Sequence, residues 1–350
     1  MEFVTEQQFI WEYLSQVKKP IVLYGMGDGC EKLLRACTRF KIPVSGIFAS
    51  DEYVRGHSFH GFPVLRYDEA RKTFGEMVIL LAFAVFEPRL TEKIKRIAKE
   101  NELYAPDVPL FGEGLFDRSY LEAHRAELET VYRLLADETS RTVFRSVLNY
   151  KVSGKPEYLW NCETSVKEAY YILTLGPREC YADLGAYNGD TIQEFLKVVG
   201  NRYRRIFAFE PNPKNYKKLL RSCQGIQDLQ LFQTAAWNRK VSLPFRLKAG
   251  RSSAFDPLEA GRVEADSVDH LIKEPLTFVK LDVEGAERKA LEGCREQIRY
   301  FKPKLAVSAY HRNEDLFSLV FQILSLRPDY RVFLRHHPYV PAWDTLYYFV

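Results

Sequence analysis

Short apolar runs along this 350-residue chain alternate with longer stretches whose apolar positions recur every three or four residues. The first unit is Pro20-Ile-Val-Leu-Tyr24, which runs into Gly25-Met-Gly-Asp-Gly29 and then a helical pattern over 31–40. Apolar runs at 44–48 and 77–83 follow, the latter leading into a predicted helix at about 87–100. Strands alternating with helices imply a parallel sheet with helices on both faces. Residues 1–112 are therefore expected to form a small Rossmann-like α/β domain.

The pattern then changes. Between Leu115 and Ser153 there is neither glycine nor proline, and apolar positions such as Leu128, Val131, Leu134 and Leu135 keep helical spacing. Residues 113–160 read as a helical connector packing on both neighbours. From 161 to 350 the alternation returns, with predicted strands at 179–184, 205–209, 229–234, 277–281 and 304–310. Two closing runs, 330–334 and 345–350, flank a His-His-Pro-Tyr-Val-Pro turn. So short a connection forces them antiparallel, because a parallel pair needs a long crossover. The fold class is α/β, with a mostly parallel C-terminal sheet ending in an antiparallel hairpin.

Composition narrows the function classes. Hydrophobic residues make up 46% and charged residues 27%, as in ordinary globular proteins, and the net charge is only +4. A nucleic-acid binder would concentrate a stronger basic excess, and the densest run, Arg202-Tyr-Arg-Arg205, reads as a solvated turn. Six scattered cysteines form no C-x-x-C pair, so zinc knuckles and redox dithiols are not expected. Free thiols in apolar stretches, no signal-peptide pattern over 1–17 and no apolar run of membrane-spanning length point to a cytoplasmic protein.

Three segments carry the chemistry. In Tyr181-Ala-Asp-Leu-Gly-Ala-Tyr-Asn-Gly-Asp-Thr191 an apolar strand ends at Asp183 and a Gly-x-x-x-Gly loop opens a helix. Gly185 and Gly189 permit close backbone approach to a ligand. The acids Asp183 and Asp190 suit a cationic amino-acid group better than a pyrophosphate, and no P-loop lysine is present. In Ile206-Phe-Ala-Phe-Glu-Pro-Asn212 the acid Glu210 stands where doubly wound sheets grip ribose hydroxyls, with Pro211 stopping the strand. In Phe278-Val-Lys-Leu-Asp-Val-Glu-Gly-Ala-Glu-Arg288, strand alternation puts Lys280 and Asp282 on one face, with Glu284 and Glu287 just beyond. So many charges at a strand's carboxyl end require pairing, metal or substrate.

These segments resemble the FkbM family of S-adenosylmethionine-dependent methyltransferases. The matching stretches are Asp183-Leu-Gly-Ala-Tyr-Asn-Gly-Asp190, Phe209-Glu-Pro-Asn212 and Lys280-Leu-Asp-Val-Glu-Gly-Ala-Glu287, in that order, departing only at the polar pair Tyr187-Asn188. The resemblance covers about 162–350. It implies a class I methyltransferase sheet over 161–350 that binds S-adenosylmethionine. Asp183, Gly185, Gly189, Asp190 and Thr191 would contact the cofactor, together with Tyr187 and Asn188. Glu210 would hold the ribose beside Pro211 and Asn212, and Ala235-Ala236-Trp237 would meet the adenine.

His311, leaving the strand at 304–310, lies at the presumed crevice and is a natural general base for an alcohol, with Asp282 and Lys280 completing the catalytic group. Glu284, Ser252, Ser253 and His336 are candidates for the acceptor. His311, Asp282 and Glu284 could jointly hold a divalent ion, but their spacing is not diagnostic and no metal site is assigned. The expected acceptor is a small molecule such as a sugar or nucleotide-sugar, with neither nucleic acid nor membrane as partner, and the sequence allows a homo-oligomer. Rival readings are a cofactor-binding scaffold without turnover and an NAD(P)-dependent oxidoreductase using Gly25-Met-Gly-Asp-Gly29, which lacks the third glycine of the dinucleotide fingerprint.

Overall fold

The computed structural model describes residues 1–112, 114–246, 254–255 and 261–350. Its first sheet contains β1 (Ile21–Tyr24), β2 (Gly46–Phe48), β3 (Ser58–Phe59), β4 (Phe62–Leu65), β5 (Val78–Leu81) and β6 (Glu102–Tyr104), in the order β3-β4-β2-β1-β5-β6. All pairs are parallel except β3 with β4. The four-residue strands β1 and β5 are buried throughout, which is why they read as continuous apolar runs. The sequence pattern missed β3, β4 and β6, each only two to four residues long. Because β1 lies between β2 and β5, the glycine loop after it sits where the strand order reverses, the usual place for a crevice in such sheets. Helix Asp28–Arg39 starts in that loop and buries Cys30, Leu33, Ala36 and Cys37.

Helices Arg118–Ala123, Arg125–Leu134 and Glu138–Ser153 follow. Asp137 caps the last of them by accepting from the Ser140 amide (2.8 Å), and Gly154, at φ 68°, ends it in the left-handed region. This helix ties the two halves together. Asn149 Oδ1 accepts from the amides of Thr5 and Glu6, while Lys151 Nζ reaches Asp107 (2.6 Å) and Asn313 (3.0 Å). One core runs through both sheets and includes Val22, Ile79, Leu148, Val279 and Leu334.

The C-terminal strands are β7 (Cys180–Leu184), β8 (Arg205–Phe209), β9 (Leu229–Phe232), β10 (Ala235–Ala236), β11 (Val241–Arg246), β12 (Ala254–Phe255), β13 (Arg262–Asp266), β14 (Phe278–Leu281), β15 (Lys304–Ser308), β16 (Val332–His336) and β17 (Thr345–Phe349). Seven of them form the main sheet, ordered β16-β17-β15-β14-β7-β8-β9, in which β17 runs antiparallel to both neighbours. This is the mostly parallel sheet with a terminal hairpin that the sequence pattern predicts. A smaller sheet, β10-β13-β11-β12, is inserted between β9 and β14. Its strands were not foreseen: β10 and β12 have two residues each, and β11 carries Pro244 in its middle. No helix among the described residues is long and apolar enough to cross a membrane.

Candidate active site

The three motif segments meet at the carboxyl ends of β7, β8 and β14. Gly185 follows β7 at φ 92°, and a β-carbon there would lie 1.9 Å from the carbonyl oxygen of Asp282. Only glycine lets the loop pass so close to β14. Its amide and that of Ala186 donate to the Phe209 carbonyl at 3.0 and 2.9 Å, locking the loop to the end of β8. Tyr187 adopts φ 48°, and its amide donates to Glu210 Oε2 (3.0 Å). The Asn212 amide donates to the other carboxylate oxygen (2.8 Å). Burial pushes the Glu210 carboxyl up to about 7 despite these two backbone amides and a hydrogen bond from the Asn215 side chain.

Beneath the loop, Asp183 is fully buried and accepts the Thr191 hydroxyl through Oδ2. Its Oδ1 has no hydrogen-bond partner among the described residues and lies 3.8 Å from Lys280 Nζ, which is equally far from Asp282 Oδ2. Burial raises the Asp183 carboxyl, with Lys280 pulling the other way. For Asp282, burial also pushes upward, but Lys280 and His311 together hold it below the usual carboxylate range.

Two cavities open here. The first, about 350 Å³, is walled by Gly185, Tyr187, Asp190, Thr191, Glu210, Pro211 and Ala235-Ala236, with Lys280, Asp282 and Glu284 at one end. The second, about 530 Å³, lies between the sheets. Met26, Asp28, Lys32 and Phe83 line it from the N-terminal side, and Tyr310, His311, Tyr339 and Trp343 from the C-terminal side. Asp282, Glu284 and Asp344 belong to both walls, so the cavities adjoin at these carboxylates.

His311 is enclosed by acids. Its Nδ1 lies 3.0 Å from Glu287 Oε1, and its Nε2 is 3.6 Å from both Asp282 Oδ1 and Glu284 Oε2. Burial alone would lower its pKa, but Glu287, Glu284 and Asp282 outweigh burial and hold it up to about 10. The ring is therefore an imidazolium at neutral pH and not a free base. Nearby Asp315 is pushed up to about 8 by burial and by Glu287.

Other sequence candidates lie off the cavity walls. Asn212 is buried and caps helix Pro213–Ser222, accepting from the amides of Lys214 and Asn215. Gly189 fills a steric need: a β-carbon there would meet Ser222 and Cys223 below 3.0 Å. The carbonyl of Asn188 accepts the Ser222 hydroxyl, and Trp237 packs beside the small Ala235, Val263, Ala265 cluster. His336 is corrected outright. It is buried at the end of β16 against Thr345 (2.9 Å), with burial driving its pKa down to about 3, while its neighbour His337 faces the first cavity. Strand alternation explains the exchange. Ser252 and Ser253 lie outside the described residues. Sequence reasoning missed Asn215, Tyr348 and Asp344 on the first wall and the N-terminal contribution to the second, since no local pattern marks either.

Residues 183–340 match the model of the FkbM methyltransferase domain. No curated protein matches the chain significantly. Among solved structures, the methyltransferase FkbM from Methylobacillus flagellatus KT is 24% identical, covering 95% of this chain and 90% of its own at a TM-score of 0.72. An rRNA methylase from Streptococcus thermophilus is 14% identical over 53% of this chain and 96% of its own, with a TM-score of 0.37. Aeropyrum pernix fibrillarin with natively bound S-adenosyl-L-methionine is 14% identical over 53% of this chain and 74% of its own, with a TM-score of 0.34. The chain thus carries a methyltransferase FkbM domain at residues 183–340.

Proposed function

We propose that the chain binds S-adenosylmethionine in the first cavity and methylates a hydroxyl of a sugar or similar small metabolite held in the second. The supporting observation is that the two cavities adjoin at Asp282, Glu284 and Asp344. A methyl group presented from one side would meet an acceptor on the other, and in-line displacement draws most of its rate from such alignment. In this reading Glu210 accepts the ribose hydroxyls, Asp190 and Thr191 face the amino-acid end, and Ala235 and Ala236 flank the adenine. The wall of the second cavity combines aromatic rings (Phe83, Tyr310, Trp343) with carboxylates. Rings pack on the C–H face of a sugar, and carboxylates accept from its hydroxyls. Asp282, ionised by Lys280 and aimed by the Tyr310 hydroxyl (3.0 Å), takes the acceptor proton; Glu284 positions the acceptor.

Calorimetric titration with S-adenosylmethionine, with NAD in parallel, tests the cofactor. Binding by the intact chain that Glu210→Ala removes is the expected result; a response to NAD alone would sink the proposal. An acceptor screen led by sugars and nucleotide-sugars, read by release of S-adenosylhomocysteine, tests the second half. Turnover should be lost in Asp282→Asn and the acceptor KM raised in Phe83→Ala with cofactor affinity unchanged.

A further inference from the structure

Where the two halves of the chain meet, a row of aromatic rings turns outward. Val85 and Val340 form an isolated antiparallel bridge: the Val85 amide donates to the Val340 carbonyl (2.7 Å) and the Val340 amide donates back (2.9 Å). Both valines are buried, so extended backbone turns their neighbours Phe86 and Tyr339 the other way. There the two rings stack, with centroids 5.4 Å apart and planes 19° from parallel. Trp343 extends the row, 5.8 Å from Tyr339. Tyr339 and Trp343 line the second cavity and are half-buried, whereas Phe86 lies beyond the lining and is 62% exposed. A single exposed apolar side chain needs no explanation, but a contiguous row leading out of a cavity marks a binding surface. The bridge holds the rings in place, so little entropy is lost in ordering them when a ligand lies on them.

The charges on the cavity wall select among ring-shaped ligands. Four carboxylates, Asp28, Asp282, Glu284 and Asp344, stand against the three cations Lys32, Arg35 and His311. Lys32 is engaged by Asp28 (3.3 Å), and His311 by Asp282 and Glu284 (3.6 Å each) and Glu287 (3.0 Å). Arg35 is exposed to solvent. A phosphate would enter beside carboxylates whose cations are already matched, which is costly. A neutral saccharide suits the same wall, because its C–H faces pack on aromatic rings and its hydroxyls donate to carboxylates. We propose that the acceptor is a neutral glycan of at least two sugar rings, with the ring to be methylated inside the second cavity and the next ring lying on Tyr339 and Phe86 at its mouth. Phe86 is then a specificity residue that touches the second ring and no reacting atom. The methylation rests on the methyltransferase reading; the binding of two rings does not.

The test is calorimetric titration of the full chain with a panel of neutral methyl glycosides, each supplied as the monosaccharide and as the corresponding disaccharide. Uridine diphosphate sugars and S-adenosylhomocysteine are titrated beside them. At least one disaccharide should bind about tenfold or more tighter than its monosaccharide. Phe86→Ala, at an exposed position that should not disturb folding, should remove that gain and leave the monosaccharide and S-adenosylhomocysteine affinities unchanged. Tyr300→Ala, which deletes an equally exposed ring before the amino end of β15, should change nothing, and circular dichroism melts should show both variants folded. Equal affinity for one ring and two across the panel, or a gain that survives Phe86→Ala, overturns the proposal. So does binding of the uridine diphosphate sugars alone, or a dimer in sedimentation that Phe86→Ala dissociates. S-adenosylhomocysteine binding without saccharide binding overturns the glycan site and leaves the methyltransferase reading intact; the two-ring gain without S-adenosylhomocysteine binding sinks that reading alone.

Discussion

At the scale of single residues, Glu210 and Gly185 have distinct physical duties. The Glu210 carboxyl, raised to about 7 by burial, is ionised only above that value. A ribose diol needs the charged form as acceptor, so cofactor affinity should be full above about pH 7. Below it, affinity should fall roughly tenfold per unit as binding must first expel a proton. Calorimetry between pH 5.5 and 8.5 checks this, and a flat profile would remove Glu210 from the ribose. Gly185 is a packing residue. With a backbone carbonyl 1.9 Å from any added β-carbon, Gly185→Ala must move β7 or β14. The expected cost is about 2 kcal/mol or more by urea denaturation, with cofactor binding lost. Both roles were half legible in sequence: the glycine and the acid stand at recognisable positions, but only geometry shows that Asp282 supplies the clash and that two backbone amides already occupy Glu210.

At the scale of elements, the helix Glu138–Ser153 carries a buried ion pair rather than a plain apolar face. Lys151 and Asp107 are 5% and 6% exposed and 2.6 Å apart, with Asn313 completing the ammonium's shell. Removing one member leaves a buried charge alone, so Lys151→Met should cost about 3–5 kcal/mol of stability. Replacing both, Lys151→Met with Asp107→Leu, should recover most of that. Chemical denaturation of the three variants measures the difference. The helical connector was legible because its periodicity is unbroken by glycine or proline. The inserted sheet was not: β10 and β12, at two residues each, leave no alternation to count.

At the scale of the molecule, both sheets share one core, with Val22 and Ile79 in the same cluster as Val279 and Leu334. Thermal unfolding should therefore be a single transition by far-ultraviolet circular dichroism and by calorimetry; two separated transitions would show that the halves fold independently. The shared core also brings Phe83 and Met26 within one cavity of Tyr310 and Trp343. The glycine loop after β1 thereby becomes part of the second cavity's wall. In both halves, a glycine after the first strand meets a strand-end carbonyl across the sheet. A β-carbon on Gly29 would lie 2.2 Å from the Ala82 oxygen, and one on Gly185 would lie 1.9 Å from that of Asp282. Gly29 thus performs the helix-packing duty of the glycine that the fingerprint lacks.

Local order determined much of this protein. Hydrophobic period and strand-end motifs are encoded within stretches of about ten residues, so the α/β class, the terminal hairpin and the FkbM methyltransferase domain could be read without coordinates. Burial, charge coupling and cavity walls depend on residues far apart in the chain, and only the tertiary structure decided them. His311 reads as a base in sequence because histidine titrates near neutral pH. Three carboxylates brought in from Asp282, Glu284 and Glu287 make it a cation instead. His336 reads as a pocket residue because it follows a strand, yet alternation turns it inward and gives the wall to His337. The second cavity is written in neither half alone, because its walls exist only once the two sheets pack together.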